Sequence, residues 1–179
     1  MKIRAIYPGT FDPIHFGHMD IIQRSAQMFD EVMVAVYDKP LKSLVFGFEE
    51  RLGLVEEAVR HMGLVTVTAT GYHGLTVEFC RKVGAQVIIR GLRVFSDFEF
   101  EFRMALANRR MVPTVETVTL ITNEEHTFLS STTVREIASL GGDVSTMVPA
   151  HVQAALHRRF GELGEDGSSK VVPLTQLRD

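Results

Sequence analysis

The feature that most constrains the fold is the regular alternation of strand-like and helix-like segments along the chain. Runs of β-branched and other apolar residues, typical of strands, occupy residues 3–7, 31–37, 65–69, 86–89 and 115–121. Stretches with the 3.6-residue period of a helix lie between them, among others at residues 17–29, 48–62 and 76–83. Repeated β-α units form parallel sheets because each helix carries the chain back across the sheet. The sequence therefore predicts a Rossmann-like α/β fold, a five-stranded parallel sheet with helices on both faces, plus C-terminal helices.

Local signals indicate where two of the later helices begin. The spacing of Ser96 with Glu99, and of Thr133 with Glu136, is that of a capping box. Glu99 and Arg103 are four residues apart, a spacing that favours an ion pair on a helix surface.

The length of 179 residues predicts one domain, which we place at residues 1–160, followed by a linker and C-terminal tail at residues 161–179. Pro149 and Gly161 bracket the last predicted helix. The linker is rich in Gly, Glu, Asp and Ser. The apolar residues 171–174 either dock on the body or on a neighbouring subunit, or belong to a floppy tail.

Composition and charge exclude several classes of protein. A hydrophobic share of 45% and a charged share of 23% are typical of a globular protein, and a net charge of −3 argues against broad nucleic-acid binding. The single cysteine, Cys80, excludes an internal disulfide and a cysteine-rich metal site. The N-terminus lacks the layout of a signal peptide, and the apolar runs are too short to span a bilayer. We expect a cytoplasmic protein without nucleic-acid or membrane partners.

Polar residues that suit an anion follow four of the predicted strands. They are Gly9, Thr10, His15 and His18; Asp38, Lys39 and Lys42; Arg90, Gly91 and Arg93; and Ser130, Ser131, Thr132 and Arg135. Ligands of parallel sheets bind beyond the carboxyl ends of the strands, so we expect these side chains to share one edge. Cations, hydroxyls and glycines prevail there and carboxylates are sparse, so the expected ligand is a polyanion.

The two histidines of His15-Phe16-Gly17-His18 leave three interpretations open. They could ligate zinc, although no third ligand of the right type lies nearby in the sequence. They could be surface or helix-capping residues. They could contact a phosphate, which Gly9, Thr10 and a helix N-terminus would help to hold. No serine, cysteine or lysine nucleophile accompanies them, which favours a site that holds phosphates rather than attacks them.

Two further motifs have an ordinary and a functional interpretation. The hydroxyl run at residues 130–133 could simply cap a helix, but with Arg135 one turn on, we expect anion binding. Arg90 and Arg93 could be solvated surface residues. Gly91 between them lets the backbone approach a ligand, and the guanidinium fork matches phosphate oxygens, so we expect phosphate contact.

Four phenylalanines lie close together between residues 95 and 102. The phenylalanines pack in the core, or form an exposed patch that favours oligomerisation: Phe95, Phe98, Phe100 and Phe102.

The sequence has neither a glycine-rich dinucleotide fingerprint nor a Walker loop, which argues against a dehydrogenase and a P-loop ATPase.

Several motifs together resemble one enzyme family. Residues 7–13 with His15-Phe16-Gly17-His18 resemble the HxGH signature of the nucleotidyltransferase superfamily, and residues 129–135 resemble its ISSTxxR signature. Lys42, the segment 89–93 and the segment 97–101 resemble bacterial phosphopantetheine adenylyltransferase in particular. The match extends over roughly residues 1–160.

The resemblance implies transfer of AMP from ATP to 4′-phosphopantetheine, giving dephospho-coenzyme A and pyrophosphate in coenzyme A biosynthesis. It also implies Mg²⁺ held mainly by the ATP phosphates, a homohexamer, and coenzyme A as a possible feedback inhibitor. Two alternatives remain: a sister nucleotidyltransferase with another acceptor, such as nicotinamide mononucleotide or glycerol phosphate, and a non-catalytic nucleotide-binding module.

The resemblance also implies roles for individual residues. Those implied for phosphopantetheine are Thr10, Lys42, Thr76 and Arg90. Those implied for ATP are Thr10, Phe11, His18, Gly91, Leu92, Arg93, Glu101, His126, Thr127, Phe128, Leu129, Ser130, Ser131 and Thr132. No protein residue is expected to ligate a metal directly.

The expected chemistry is in-line attack of the acceptor phosphate on the α-phosphorus of ATP. The acceptor phosphate is already ionised near neutral pH, so no general base is required. We expect His18 to stabilise the α-phosphate in the transition state and His15 to shape the loop or line the nucleotide pocket.

Overall fold

The computed structural model describes residues 2–41 and 43–165, the last four of them through their backbone alone. The elements, in chain order, are β1 (Arg4–Gly9), α1 (Phe16–Met28), β2 (Glu31–Tyr37), α2 (Phe48–Met62), β3 (Val67–Tyr72), α3 (Thr76–Val83), β4 (Val87–Leu92), α4 (Phe95–Met111), β5 (Glu116–Ile121), a 3₁₀ turn (Glu124–His126), α5 (Ser131–Ser139) and α6 (Ala150–Glu165). None of the helices in this part of the chain has both the length and the apolar character of a membrane span.

The five strands form one parallel sheet in the order β3-β2-β1-β4-β5. The chain moves outward from β1 through β2 to β3, then crosses to the other side of β1 to form β4 and β5. The strand order therefore reverses between β1 and β4, and ligands of such sheets bind at the carboxyl ends of the strands at this point. This arrangement confirms the predicted Rossmann-like fold.

Helices cover both faces of the sheet, as predicted. Neighbouring residues of β1, Ala5 and Ile6, are fully buried and point to opposite faces. Ala5 belongs to the larger core cluster, which includes residues of α1, α2 and α6, whereas Ile6 packs with Val77 and Cys80 of α3. Burial raises the pKa of the Cys80 thiol to about 12, as expected for an unreactive core residue.

The bounds of the elements agree with the prediction where a periodic segment ends at a glycine. Helices α2 and α3 occupy the predicted residues, and Gly63 and Gly84 follow them in the left-handed conformation. Strand β3 lies at Val67–Tyr72 rather than at residues 65–69, and Val65 is exposed. The predicted ion pair of Glu99 with Arg103 is present, with a separation of 3.5 Å.

Both predicted capping boxes are wrong. Helix α4 begins at Phe95, so Ser96 lies inside its first turn instead of preceding it. The N-cap of α5 is Ser130, whose hydroxyl accepts a hydrogen bond from the Thr133 amide at 3.0 Å. In each case the helix begins before the residue that the spacing picks out.

Helix α6 continues beyond the predicted end of the domain. It begins directly after Pro149, as expected, but runs through Gly161 to Glu165. Residues 161–165, which the prediction assigned to the linker, are therefore helical. The apolar segment 171–174, with the rest of the predicted tail, lies outside the described residues.

Candidate active site

The HxGH segment forms the N-terminus of α1, directly after the β1 loop. His15 is the N-cap, and its Nδ1 accepts a hydrogen bond from the His18 amide at 3.4 Å, while the His15 amide donates to His18 Nδ1 at 3.3 Å. The two rings stack with centroids 3.7 Å apart. A Cβ atom at Gly17 would lie 3.1 Å from two ring atoms of His15, so a side chain there would press on this arrangement. The capping interpretation of the histidines is thus confirmed.

The two imidazoles are held in their neutral form. Burial is the main cause that lowers the pKa of His15, to about 3, and the charges of Arg93 and His126 lower it further. Burial, His15, Arg93 and Arg90 hold the pKa of His18 well below its usual value. Because Nδ1 of each neutral ring accepts from an amide, the ring proton is on Nε2. His18 can therefore offer an uncharged N–H donor at the start of a helix.

The loop between β1 and α1 is tightly folded. Phe11 adopts a positive φ of 50°, and its ring packs edge-on against the His18 ring with centroids 4.9 Å apart. A Cβ atom at Gly9 would come within 2.8 Å of the Phe11 ring, so this position requires glycine. The Phe11 side chain is buried, and its contact supports the His18 ring.

Asp12 anchors the same loop to the segment that precedes α2. Its buried carboxylate accepts hydrogen bonds from the amides of Val45 and Phe46, each at 2.9 Å. The prediction that Arg135 binds an anion at the ligand edge is wrong. Arg135 is only 2% exposed and donates to the Asp12 carbonyl at 2.6 Å and to the Thr132 hydroxyl at 3.2 Å. Arg135 therefore links the two signature motifs from inside the protein.

The hydroxyl run cooperates with this link. Ser130 caps α5, so the ordinary interpretation of this residue is correct. The Ser131 hydroxyl donates to the Pro13 carbonyl at 2.9 Å, which fixes the start of α5 beside the β1 loop. The N-termini of α1 and α5 thus flank the same loop, and their first amides are suited to an anion.

Arg90 in β4 and Arg93 just after it are each paired with a carboxylate on α4. Arg90 donates through Nε and Nη2 to both Glu101 oxygens, at 2.8 and 2.7 Å, and through Nη1 to the Pro8 carbonyl at 3.0 Å. Arg93 lies 3.3 Å from an Asp97 oxygen and donates to the Leu129 carbonyl at 3.2 Å. The edge thus carries more carboxylates than expected. The i, i+4 spacing of Arg93 and Asp97 is a signal for one pair, whereas no local spacing connects Arg90 with Glu101.

One residue that the sequence analysis missed is Arg51 of α2, which is fully buried. Its guanidinium donates to the carbonyls of Thr10, Tyr37 and Asp38, at 2.7, 2.8 and 2.9 Å. It therefore ties the loop after β1 to the end of β2. Position 51 is one helical turn before the buried Val55, so a cation on an apolar stripe was the available signal.

The remaining candidates that the structure describes differ in position and burial. Thr76 opens α3, where its hydroxyl bonds the Tyr72 hydroxyl at 3.0 Å. His126 lies in the 3₁₀ turn, and its Cβ would be 3.5 Å from a Cβ at Gly17. Phe128 is exposed, and Leu129 is buried. Lys42 is outside the described residues.

The fold resembles those of two solved proteins. A structure from Vibrio parahaemolyticus, provisionally described as a nicotinate-nucleotide adenylyltransferase, superimposes with a TM-score of 0.66 at 22% identity, over 88% of this chain and 99% of that one. A lipopolysaccharide core biosynthesis protein from Thermoplasma volcanium gives a TM-score of 0.53 at 23% identity, over 69% of this chain and 100% of that one. At these identities the likeness supports the fold.

Closer relatives define the family. Residues 6–137 match the model of the cytidylyltransferase-like family. The phosphopantetheine adenylyltransferase of Methylococcus capsulatus is 51% identical over 92% of this chain and 100% of its own length. The enzyme of the same name from Gloeobacter violaceus is 51% identical over 87% of this chain and 96% of its own. The chain, in which hydrogen bonds join the loop before the HxGH helix to the ISSTxxR segment, belongs to the phosphopantetheine adenylyltransferase family of cytidylyltransferase-like proteins.

Proposed function

We propose that this chain transfers AMP from ATP to 4′-phosphopantetheine, giving dephospho-coenzyme A and pyrophosphate in coenzyme A biosynthesis. The observation that carries the proposal is the position of His18. Its neutral imidazole stands at the N-terminus of α1, beside the point where the strand order reverses, with Arg90 and Arg93 close enough to lower its pKa. Donors of this kind suit a phosphate chain that is held while another group attacks it.

The reaction is an in-line displacement at the α-phosphorus of ATP. The oxygen of the acceptor phosphate forms the new P–O bond, and the bond to the bridging oxygen of pyrophosphate breaks. The acceptor phosphate is already ionised, so its attack needs no general base. The His18 Nε2–H donates to the α-phosphate oxygen, where negative charge is concentrated in the transition state. Because the ring is neutral and its other nitrogen is occupied, this donor is oriented before ATP arrives.

Residues that follow or end several of the strands in the chain hold the acceptor. We assign Thr10, Lys42, Thr76 and Arg90 to phosphopantetheine. Glu101 and the Pro8 carbonyl use three of the five N–H groups of Arg90, and the others are available to a phosphate. The bidentate pair therefore aims the guanidinium.

The N-termini of α1 and α5, with the loop that precedes α5, hold the nucleotide. Arg93, with Ser130, Ser131 and Thr132, holds the phosphates that leave as pyrophosphate. Gly91 and Leu92 present backbone beside the nucleotide. Other proposed contacts are Thr10, Phe11, Glu101, His126, Thr127, Phe128 and Leu129. Since Phe11 and Leu129 are buried, their backbone rather than their side chain is the group within reach of ATP.

Magnesium would enter with ATP. Of the carboxylates beside the β1 loop and the end of β4, Asp12, Asp97 and Glu101 are already engaged with amides or arginines. This donor set fits an ion that the ATP phosphates and water ligate, the usual arrangement for Mg²⁺. When bound, the ion neutralises phosphate charge, and no protein carboxylate needs to leave its partner.

We also propose that the protein is a cytoplasmic homohexamer that coenzyme A can inhibit. Helix α4 supports the assembly, because Phe95, Phe98 and Phe102 stack along it with centroids 6.2 and 5.8 Å apart while each remains at least half exposed. A contiguous aromatic face of this kind suits contact with another subunit.

An acceptor screen with labelled ATP tests the function. The proposal expects a labelled product of the mass of dephospho-coenzyme A with 4′-phosphopantetheine, and background levels with nicotinamide mononucleotide or glycerol phosphate. Preference for either of these acceptors would reassign the chain to a sister reaction. ATP binding without turnover of any acceptor would make it a non-catalytic nucleotide-binding module.

A further inference from the structure

Three potential metal ligands converge where α2 meets the first turn of α6. Glu57 and His61 are one turn apart on α2, and His151 is the second residue of α6. One ligand atom from each of the three lies within 4.8 Å of the others. The two imidazole rings meet edge-on with centroids 5.6 Å apart. Two imidazoles and one carboxylate are a donor set that zinc favours.

The distances allow a metal ion after small side-chain movements. Bonds of about 2.0–2.1 Å to zinc place tetrahedral ligands about 3.3 Å apart. His61 is exposed and Glu57 half-buried, so rotation of their side chains can close the remaining gap. Arg60 is the competing charge, 3.9 Å from Glu57, and its side chain is 71% exposed and free to turn into solvent.

His151 is already oriented as metal-bound histidines are. Its Nε2 lies 3.1 Å from the Leu54 carbonyl. A carbonyl can only accept, so Nε2 is the donor of this contact, and Nδ1 is the nitrogen left to bind a metal. Histidines that bind metals commonly donate their second N–H to a backbone carbonyl in this way.

We propose that Glu57, His61 and His151 bind one Zn²⁺ ion, with water in the fourth position, and that the ion clamps α6 to α2. Arg159 of α6 already contacts the N-terminal end of α2. It forms an ion pair with Glu50, and its guanidinium lies over the Phe46 ring. The metal ion would add a second contact between the two helices, at the N-terminal end of α6. From Phe48 to His61 the axis of α2 extends about 20 Å, so the ion is remote from the strand-end site.

Zinc titration of untagged, chelator-treated protein, read by calorimetry and metal analysis, tests the proposal. We expect one high-affinity ion per chain, and binding weaker by at least ~10-fold in His61→Ala, His151→Ala and Glu57→Gln. Cobalt should give the visible spectrum of a tetrahedral site in the wild type and lose it in His61→Ala. Zinc should raise the Tm of the wild type but not of these variants.

Matched controls come from the same helices. His157→Ala on α6 and Glu56→Gln on α2 alter exposed neighbours outside the cluster and should bind zinc as the wild type does. Equal zinc affinity in wild type and His61→Ala would overturn the proposal, because the ion would then be bound elsewhere. Binding only at millimolar zinc would also overturn it. Circular dichroism of each variant separates loss of the site from loss of the fold.

Discussion

The His15 and His18 rings stack 3.7 Å apart, and each residue's backbone amide donates to the other's Nδ1. The reciprocal cap fixes the tautomer of both rings and the direction of His18 Nε2–H. The two histidines of the motif therefore occupy different positions. His15 builds the helix N-terminus, and His18 presents its donor from it.

Replacing His18 should affect turnover more than ATP binding. His18→Ala removes one preorganised donor to the transition state, which costs on the order of 10²–10³ in rate. We expect kcat to fall by this factor while the KM for ATP changes little. Steady-state kinetics check this, with His73→Ala, an exposed histidine, as the control. An unchanged kcat would remove His18 from the transition state.

The neutral histidines make stability depend on pH. The unfolded chain protonates His15 near its ordinary pKa of about 6.5, whereas burial holds the folded pKa at about 3. Between these values the unfolded state binds more protons, so the free energy of unfolding decreases as the pH falls. One such histidine contributes about 1 kcal/mol of this decrease between pH 6 and pH 5.

The variant His15→Asn isolates this contribution, because asparagine caps helices well and does not titrate. Urea unfolding across the same pH range should show a shallower decrease than in the wild type. An equal slope in both proteins would mean that His15 is not held neutral.

Arg51 should be essential for stability although it contacts no predicted substrate. Arg51→Met leaves four carbonyls without their buried donor, since Arg51 Nε also donates to the Phe46 carbonyl at 3.3 Å, and each unsatisfied group costs about 1–3 kcal/mol. We expect a loss of at least ~3 kcal/mol in urea unfolding. Arg60→Met, an exposed position on the same helix, should change stability by less than ~0.5 kcal/mol. Similar values for the two variants would contradict the anchoring role.

Glu101 should act on the acceptor through Arg90. Glu101→Gln weakens the bidentate pair that aims the guanidinium, so the KM for phosphopantetheine should rise more than the KM for ATP. Glu99→Gln, an exposed acid on the same helix, is the control. A larger effect on the KM for ATP would mean that the proposed nucleotide contact of Glu101 matters more than its pair with Arg90.

Periodicity and glycine stops were sufficient to predict the sheet and the bounds of α2 and α3. These signals failed to predict where α4 and α5 begin, because the conformation of the residues before a helix decides its first residue. Val94 rather than Ser96 precedes α4, and Ser130 rather than Thr133 caps α5. A capping-box spacing does not reveal which hydroxyl stands outside the helix.

The candidate site could be proposed from the sequence where polar residues end or follow a strand, as with His18 after β1 and with Arg90 and Arg93 at the end of β4. It was not predictable where contacts join distant segments. Arg135 donates a hydrogen bond to the Asp12 carbonyl, 123 residues away in the sequence, and Arg51 donates one to the Thr10 carbonyl, 41 residues away. Only the folded chain shows that these two cations support the site from within.

Pyrophosphate release from ATP, measured with and without 4′-phosphopantetheine, tests the central claim most directly. A site that holds ATP and depends on an incoming phosphate predicts release that requires phosphopantetheine and matches the dephospho-coenzyme A formed, one for one. Release of pyrophosphate at the same rate without the acceptor, or none with it, would contradict the account.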